Sequence, residues 1–150
     1  MEETIQRALS AEAFAEAHPG AAHHLREAFN LVWESSGAEQ AISEIGDHLR
    51  KALMDTTTDV LGADSRQQER PVEGLKLWLT SQTRLSARER EVLQHLIDLA
   101  RVVLRLDHRL NHVRDEADKG EAAPTWEEVR RAAFTTALVC YELDRVKLNR

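Results

Sequence analysis

Residues 86–118 read SAREREVLQHLIDLARVVLRLDHRLNHVRDEAD, and the spacing of their apolar side chains decides the fold class. Ser86 and Glu89 stand three apart in the pattern of a capping box, in which side chain and backbone satisfy each other's orphan donors at a helix start. From there Val92, Leu96, Leu99, Val103, Leu106, Leu110, Val113 and Ala117 alternate by four and three, a single seam along one long helix. A second stripe of Leu93, Ile97, Ala100 and Leu104 runs beside it. Past 104 that stripe's place is taken by Asp107, His108, Asn111 and Asp115. The spacing therefore predicts a helix over 86–118, buried on two sides early and more polar late.

The same periodicity recurs on either side. Ile5, Ala8, Leu9, Ala13, Phe14 and Ala17 predict a helix over 2–17, stopped by His18-Pro19-Gly20. Ala22, Leu25, Ala28, Phe29 and Val32 predict a second over 21–34. A third runs from 38 with Ala41, Ile42, Ile45, Leu49, Leu53 and Met54. Its end is open: Asp55-Thr56-Thr57-Thr58 has poor helix propensity, so the helix frays there or continues to Leu61. The polar stretch 62–71, GADSRQQERP, reads as a flexible loop. A short helix over 72–81 follows, a packing cap over the bundle. Thr125-Trp126-Glu127-Glu128 repeats the capping-box pattern and opens a last helix to about 146. In it Ala133, Ala137 and Cys140 offer a small-residue face for close helix approach.

These elements predict one all-α domain, a helical bundle of five or six helices with 38–61, 86–118 and 125–146 as its core. Composition agrees: 42% hydrophobic, 31% charged and only 5% aromatic residues suit a charged-surface helical bundle and disfavour a β-sandwich. The net charge of −6 argues against a general nucleic-acid binder. The charge is polarised, however, because residues 84–114 hold seven arginines against four acids. One cysteine, Cys140, excludes an intramolecular disulfide, and the opening MEETIQRALS lacks the basic and apolar regions of a signal peptide. A cytoplasmic protein without a membrane span is expected. No Gly-rich phosphate loop, CxxC pair, GxSxG or HExxH occurs, so no cofactor is expected.

The chemistry-bearing stretch is RLDHRLNH, 105–112. At about 100° per residue, Arg105, His108, Arg109 and His112 share one helical face, at the edge of the main seam or opposite it. The face is surface unless a second chain covers it. Arginine and histidine together can cleave a phosphodiester, the arginine holding phosphate charge and the histidine moving protons near neutral pH. Such a site needs no metal but needs a 2′-hydroxyl, hence RNA. A solvated polar helix face is the competing reading. A third is a metal site, since His108 and His112 stand four apart, with His48 or His95 as further ligands. His18, His23 and His24 read as a solvated helix end. Cys140 reads as buried packing, and Trp33, Trp78 and Trp126 as core or interface anchors.

The order of features resembles the HEPN superfamily, small all-α domains of prokaryotic toxins and defence systems. Two helical pairs carry the likeness: AAHHLREAFNLVW (21–33) with AISEIGDHLRKALM (41–54), and RVVLRLDHRLNHVRDE (101–116) with PTWEEVRRAAFTTALVCYELDRV (124–146). Many members are metal-independent ribonucleases with an arginine, a polar residue next, and a histidine four to six intervening positions away. Arg105 and His112 have six. By resemblance Arg105 would bind the scissile phosphate and His112 would assist proton transfer across a homodimer, with His108 and Arg109 as helpers. Leu106 stands where the motif has Asn, Asp or His, and Val102 does the same in the alternative pair Arg101 and His108. Other HEPN-like domains are non-catalytic and serve dimerisation or partner contact. The leading expectation is therefore a HEPN-like interaction module in a defence or toxin setting, acting as a homodimer or with a protein partner. A HEPN-type endoribonuclease stands second and a His-based metal-binding bundle third.

Overall fold

The computed structural model describes residues 12–34, 39–62, 71–112, 119, 120, 122 and 124–148. Among them six helices and no strand occur: α1 (Glu12–Ala17), α2 (Pro19–Glu34), α3 (Glu39–Leu61), α4 (Pro71–Ser81), α5 (Ala87–Asn111) and α6 (Trp126–Leu148). The expected all-α bundle is what forms. Of the first helix expected over 2–17, residues 12–17 form α1, while 2–11 and most of the expected loop over 62–71 lie outside the described residues.

Helix α3 is the central post and packs against α2, α4, α5 and α6. Ile42, Ile45, Leu49, Ala52, Leu53, Thr56 and Val60 are all buried, so it presents apolar or small side chains to its neighbours over its whole length. It does not fray at the threonines. Thr56 and Thr57 are buried, and Thr56 Oγ1 donates to Ala52 O at 2.9 Å, which satisfies the hydroxyl inside the core. Packing overrides a weak local propensity here.

Caps set the ends of the elements. Ser86 Oγ accepts from Glu89 N at 3.1 Å at the start of α5. At α6 the capping box is complete: Thr125 Oγ1 accepts from Glu128 N at 3.2 Å, and Glu128 Oε2 accepts from Thr125 N at 3.0 Å. Helix α2 begins at Pro19, two residues earlier than its apolar spacing alone suggests, because proline suits the first helical position where its missing N–H is no loss. Helix α5 ends earlier than expected. Its last turn closes at His112, which has left helical geometry (φ −108°, ψ 34°), and 113–118 lie outside the described residues.

The end of α5 is where two helices come closest. A Cβ built on Gly46 of α3 would strike the backbone N of Asn111 and come within 2.7 Å of Leu110 C, so only glycine admits the crossing. One turn earlier, Ser43 Oγ donates to Asn111 O at 2.7 Å and takes up one of the carbonyls a helix leaves free at its end. Arg90 ties the start of α5 to the end of α4 by donating to Leu79 O at 2.9 Å and Gln82 O at 2.5 Å. Val72, Leu75 and Leu79 of α4 are buried, as expected of a cap on the bundle.

The burial of α5 corrects the sequence reading in one respect. The inward face consists of Leu93, Ile97, Ala100, Val103, Asp107 and Leu110. The second stripe, not the main seam, thus leads the core face, and it continues through Asp107 instead of stopping at 104. The main seam divides: Val103 and Leu110 are buried, whereas Val92, Leu99 and Leu106 are exposed. A seam offset by part of a turn cannot lie flat on the helices packed against α5, which are α3, α4 and α6.

Candidate functional site

The stretch 105–112 occupies the last two turns of α5. Arg105, His108 and Arg109 are exposed and His112 is half-buried. The His108 and His112 rings approach to 4.4 Å between centroids. His108 and Arg109 sit in the last turn, where positive charge complements the helix dipole. The four predicted residues therefore converge on one outward face, flanked by Leu106 (40% exposed). His48 and His95 do not join them: His95 is an exposed α5 residue 4.0 Å from Glu91, and His48 pairs with another histidine on α2. Among the described residues no group of three or more His, Cys, Asp or Glu side chains is gathered to hold a metal ion.

Beside this face runs an apolar one. Val92 (65% exposed), Leu99 (37%), Val102 (51%) and Leu106 are large apolar side chains open to solvent, and they recur at intervals of seven, three and four. Glu91, Asp98 and Arg105 flank them along one border at seven-residue spacing. The result is an outward heptad seam with a charged edge, lying next to the edge of the core.

Three polar clusters lie elsewhere, none of them visible in the apolar periodicity of the chain. His18, expected at a solvated helix end, is fully buried between α1 and α2. Its Nδ1 meets Asp59 Oδ2 of α3 at 2.9 Å, and its Nε2 meets Asp144 Oδ1 of α6 at 2.7 Å. An ionised carboxylate only accepts, so with both aspartates ionised both ring nitrogens must donate, as in the imidazolium. The ring also packs on Phe14 at 5.1 Å. His18 thereby pins the α1–α2 junction to two distant helices. Its only hint in the sequence is its position before Pro19, where the chain turns back over the core.

Asp107 is the second. It is fully buried on α5, and Thr136 Oγ1 of α6 approaches its two carboxylate oxygens at 3.0 and 2.8 Å. Burial pushes its pKa up to about 8, against the smaller downward pull of the Thr136 hydroxyl. The carboxyl is thus favoured in its neutral form at pH 7. One turn along α6, Cys140 is fully buried and within hydrogen-bond reach of Thr56, and burial raises its thiol to about 12, which removes it as a nucleophile. Thr136, Cys140 and Asp144 follow at four-residue spacing. They form a polar stripe of α6 that meets Asp107, Thr56 and His18 in turn.

The third cluster bridges α2 and α3. His24 Nδ1 and His48 Nδ1 stand 3.0 Å apart, with ring centroids at 5.3 Å, and His23 packs edge-on against His24 at 5.4 Å. The far nitrogen of His24, Nε2, faces Asp55 Oδ2 at 3.9 Å. Burial lowers the basicity of His24, opposed by the Asp55 charge. Burial raises Asp55, which lies over the first turn of α2: a Cβ on Gly20 would meet its Oδ2 at 2.8 Å.

The tryptophans divide. Trp78 and Trp126 pack partly buried against the core, while Trp33 is 54% exposed under the Arg130 guanidinium at 5.5 Å. Among the described residues no helix is long and apolar enough to cross a membrane. No protein-family model, curated protein or solved structure matches the chain, so the functional reading rests on this geometry.

Proposed function

We propose that this protein is an interaction module of HEPN-like kind that self-associates through the outward face of α5. The observation that carries the reading is the concentration of exposed apolar surface: four of the six exposed large apolar side chains among the described residues lie on this one helix, at heptad spacing. A second copy is the partner that best fits the charged border. Two α5 helices laid antiparallel about a two-fold axis near Arg101 and Val102 bring Asp98 against Arg105 of the second copy, twice by symmetry. They also bring Glu91 toward His112 and pack Leu99 against Val102. A parallel arrangement instead sets each charge against its own kind.

The competing reading, an RNA-cleaving Arg105 and His112 pair, draws support from the convergence of Arg105, His108, Arg109 and His112 on one open face. Antiparallel pairing places the two His112 residues at opposite ends of the interface, so the patches do not merge into one cleft. Leu106 also belongs to the seam as its last exposed apolar residue, where an apolar side chain serves contact. The defence or toxin setting is proposed from the HEPN resemblance alone.

Sedimentation velocity over a concentration series tests the assignment. The parent is expected to sediment as a dimer, and the Leu99→Glu, Leu106→Glu double variant as a monomer with unchanged helical circular dichroism, since both side chains are exposed. A parent that stays monomeric at the highest concentration rejects the reading. Metal-free RNA cleavage by the parent, abolished in both Arg105→Ala and His112→Ala, moves the assignment to the nuclease.

A further inference from the structure

The His24 and His48 pair lies outside the interface of α5 and is not used by the function proposed above. Both side chains are partly exposed at the α2–α3 surface, so solvent and small ions reach them. The distance between their Nδ1 atoms is informative. A metal ion bound at about 2.0–2.1 Å to each of two imidazole nitrogens sets those nitrogens roughly 2.9–3.3 Å apart, for bond angles from square to tetrahedral. The observed separation is 3.0 Å, at the end of that range favoured by square geometry.

The surroundings supply the remaining requirements. Metal-bound histidines generally turn their other ring nitrogen toward a carboxylate or carbonyl that fixes tautomer and orientation. His24 does so: its Nε2 faces Asp55 Oδ2 at 3.9 Å, an ion-pair distance that closes to a hydrogen bond with a small shift. A proton on Nε2 leaves Nδ1 of His24 as a lone pair aimed toward His48. Without metal, the 3.0 Å separation suits a hydrogen bond between the two Nδ1 atoms, its direction set by the tautomers. With metal, His48 carries its proton on Nε2, so each ring keeps one proton and both Nδ1 lone pairs face the ion.

We infer that His24 and His48 form a two-imidazole site for a divalent transition-metal ion, with Asp55 orienting His24 and water filling the other positions. With only two protein ligands, affinity follows the intrinsic preference of nitrogen donors, which places Cu²⁺ first and Zn²⁺ below it. This site is distinct from the His108 and His112 row, whose spacing along one helix resembles a metal pair in sequence.

The probe is Cu²⁺ added to the chelator-treated full chain, followed by isothermal titration calorimetry and electron paramagnetic resonance. One equivalent is expected to bind with a signal split by two imidazole nitrogens. His24→Ala and His48→Ala should each weaken binding more than tenfold. Asp55→Asn should weaken it by about tenfold, the lower end of what loss of an orienting partner costs. The His108→Ala, His112→Ala double variant should bind as the parent does. No two-nitrogen signal in the parent overturns the proposal. So does copper binding that survives in His24→Ala and His48→Ala but is lost in the His108→Ala, His112→Ala variant. The absence of that signal in the parent counts against the site even if a variant fails to fold.

Discussion

At the scale of the residue, the buried ionisable groups govern stability. Asp107 has its folded pKa raised by burial to about 8, far above the ordinary aspartate value of 3.8 that applies on unfolding. Between those values the folded state holds a proton that the unfolded state has released, so stability falls as pH rises, by up to about 1.4 kcal/mol per pH unit. Asp107→Asn keeps the shape and a partner for Thr136 but removes the titration. Urea denaturation is expected to find the variant more stable than the parent at pH 8 and nearly equal at pH 4, and an equal difference at both pH values would refute the assignment. His18→Ala acts oppositely. It leaves Asp144, whose side chain is only 10% exposed, without the imidazole it faces, and a broken buried pair costs about 3–5 kcal/mol. Loss of less than about 1 kcal/mol in the same assay would show that His18 does not pin the junction.

At the scale of the element, the crossing of α3 and α5 is decided by the absence of a side chain. Alanine is the better helix former by about 1 kcal/mol, so on propensity alone Gly46→Ala would stabilise α3. The new methyl meets the backbone of Leu110 and Asn111, which cannot swing aside as a side chain can. Overpacking of this kind costs about 1–3 kcal/mol, and a lowered melting temperature is expected. An unchanged or raised melting temperature would mean that the helices separate easily. The capping box of α6 offers a milder case: Thr125→Ala removes the acceptor for Glu128 N and should cost about 1 kcal/mol by chemical denaturation.

At the scale of the whole molecule, the proposed antiparallel pairing of two copies makes the charge order along α5 testable. Asp98→Arg alone sets arginine against Arg105 of the second copy and should weaken the dimer. Asp98→Arg combined with Arg105→Asp reverses the pair and should restore it. Sedimentation equilibrium at low and moderate salt checks both, since exposed ion pairs are screened as salt rises. If the double variant associates no better than the single one, Asp98 and Arg105 are not partners and the antiparallel arrangement fails.

Much of this architecture is legible in the chain itself, because helix starts, stops and apolar periods are local properties. Ser86 with Glu89 and Thr125 with Glu128 announce their helices through side chains three residues away, and the structure uses both starts. The convergence of Arg105, His108, Arg109 and His112 follows from the helical turn alone. Which stripe of α5 faces inward does not, because two neighbouring stripes are both apolar and only the positions of α3 and α6 choose between them. For the same reason Asp107 is buried although its type favours water: it continues Leu93, Ile97, Ala100 and Leu104 by helical spacing, and Thr136 meets it there. His18 with Asp59 and Asp144, and His24 with His48, join residues from 24 to 126 positions apart. Contacts of that range leave no periodic trace along the chain. They exist only once the bundle has closed around α3, and they supply the buried histidine–aspartate contact and the paired imidazoles.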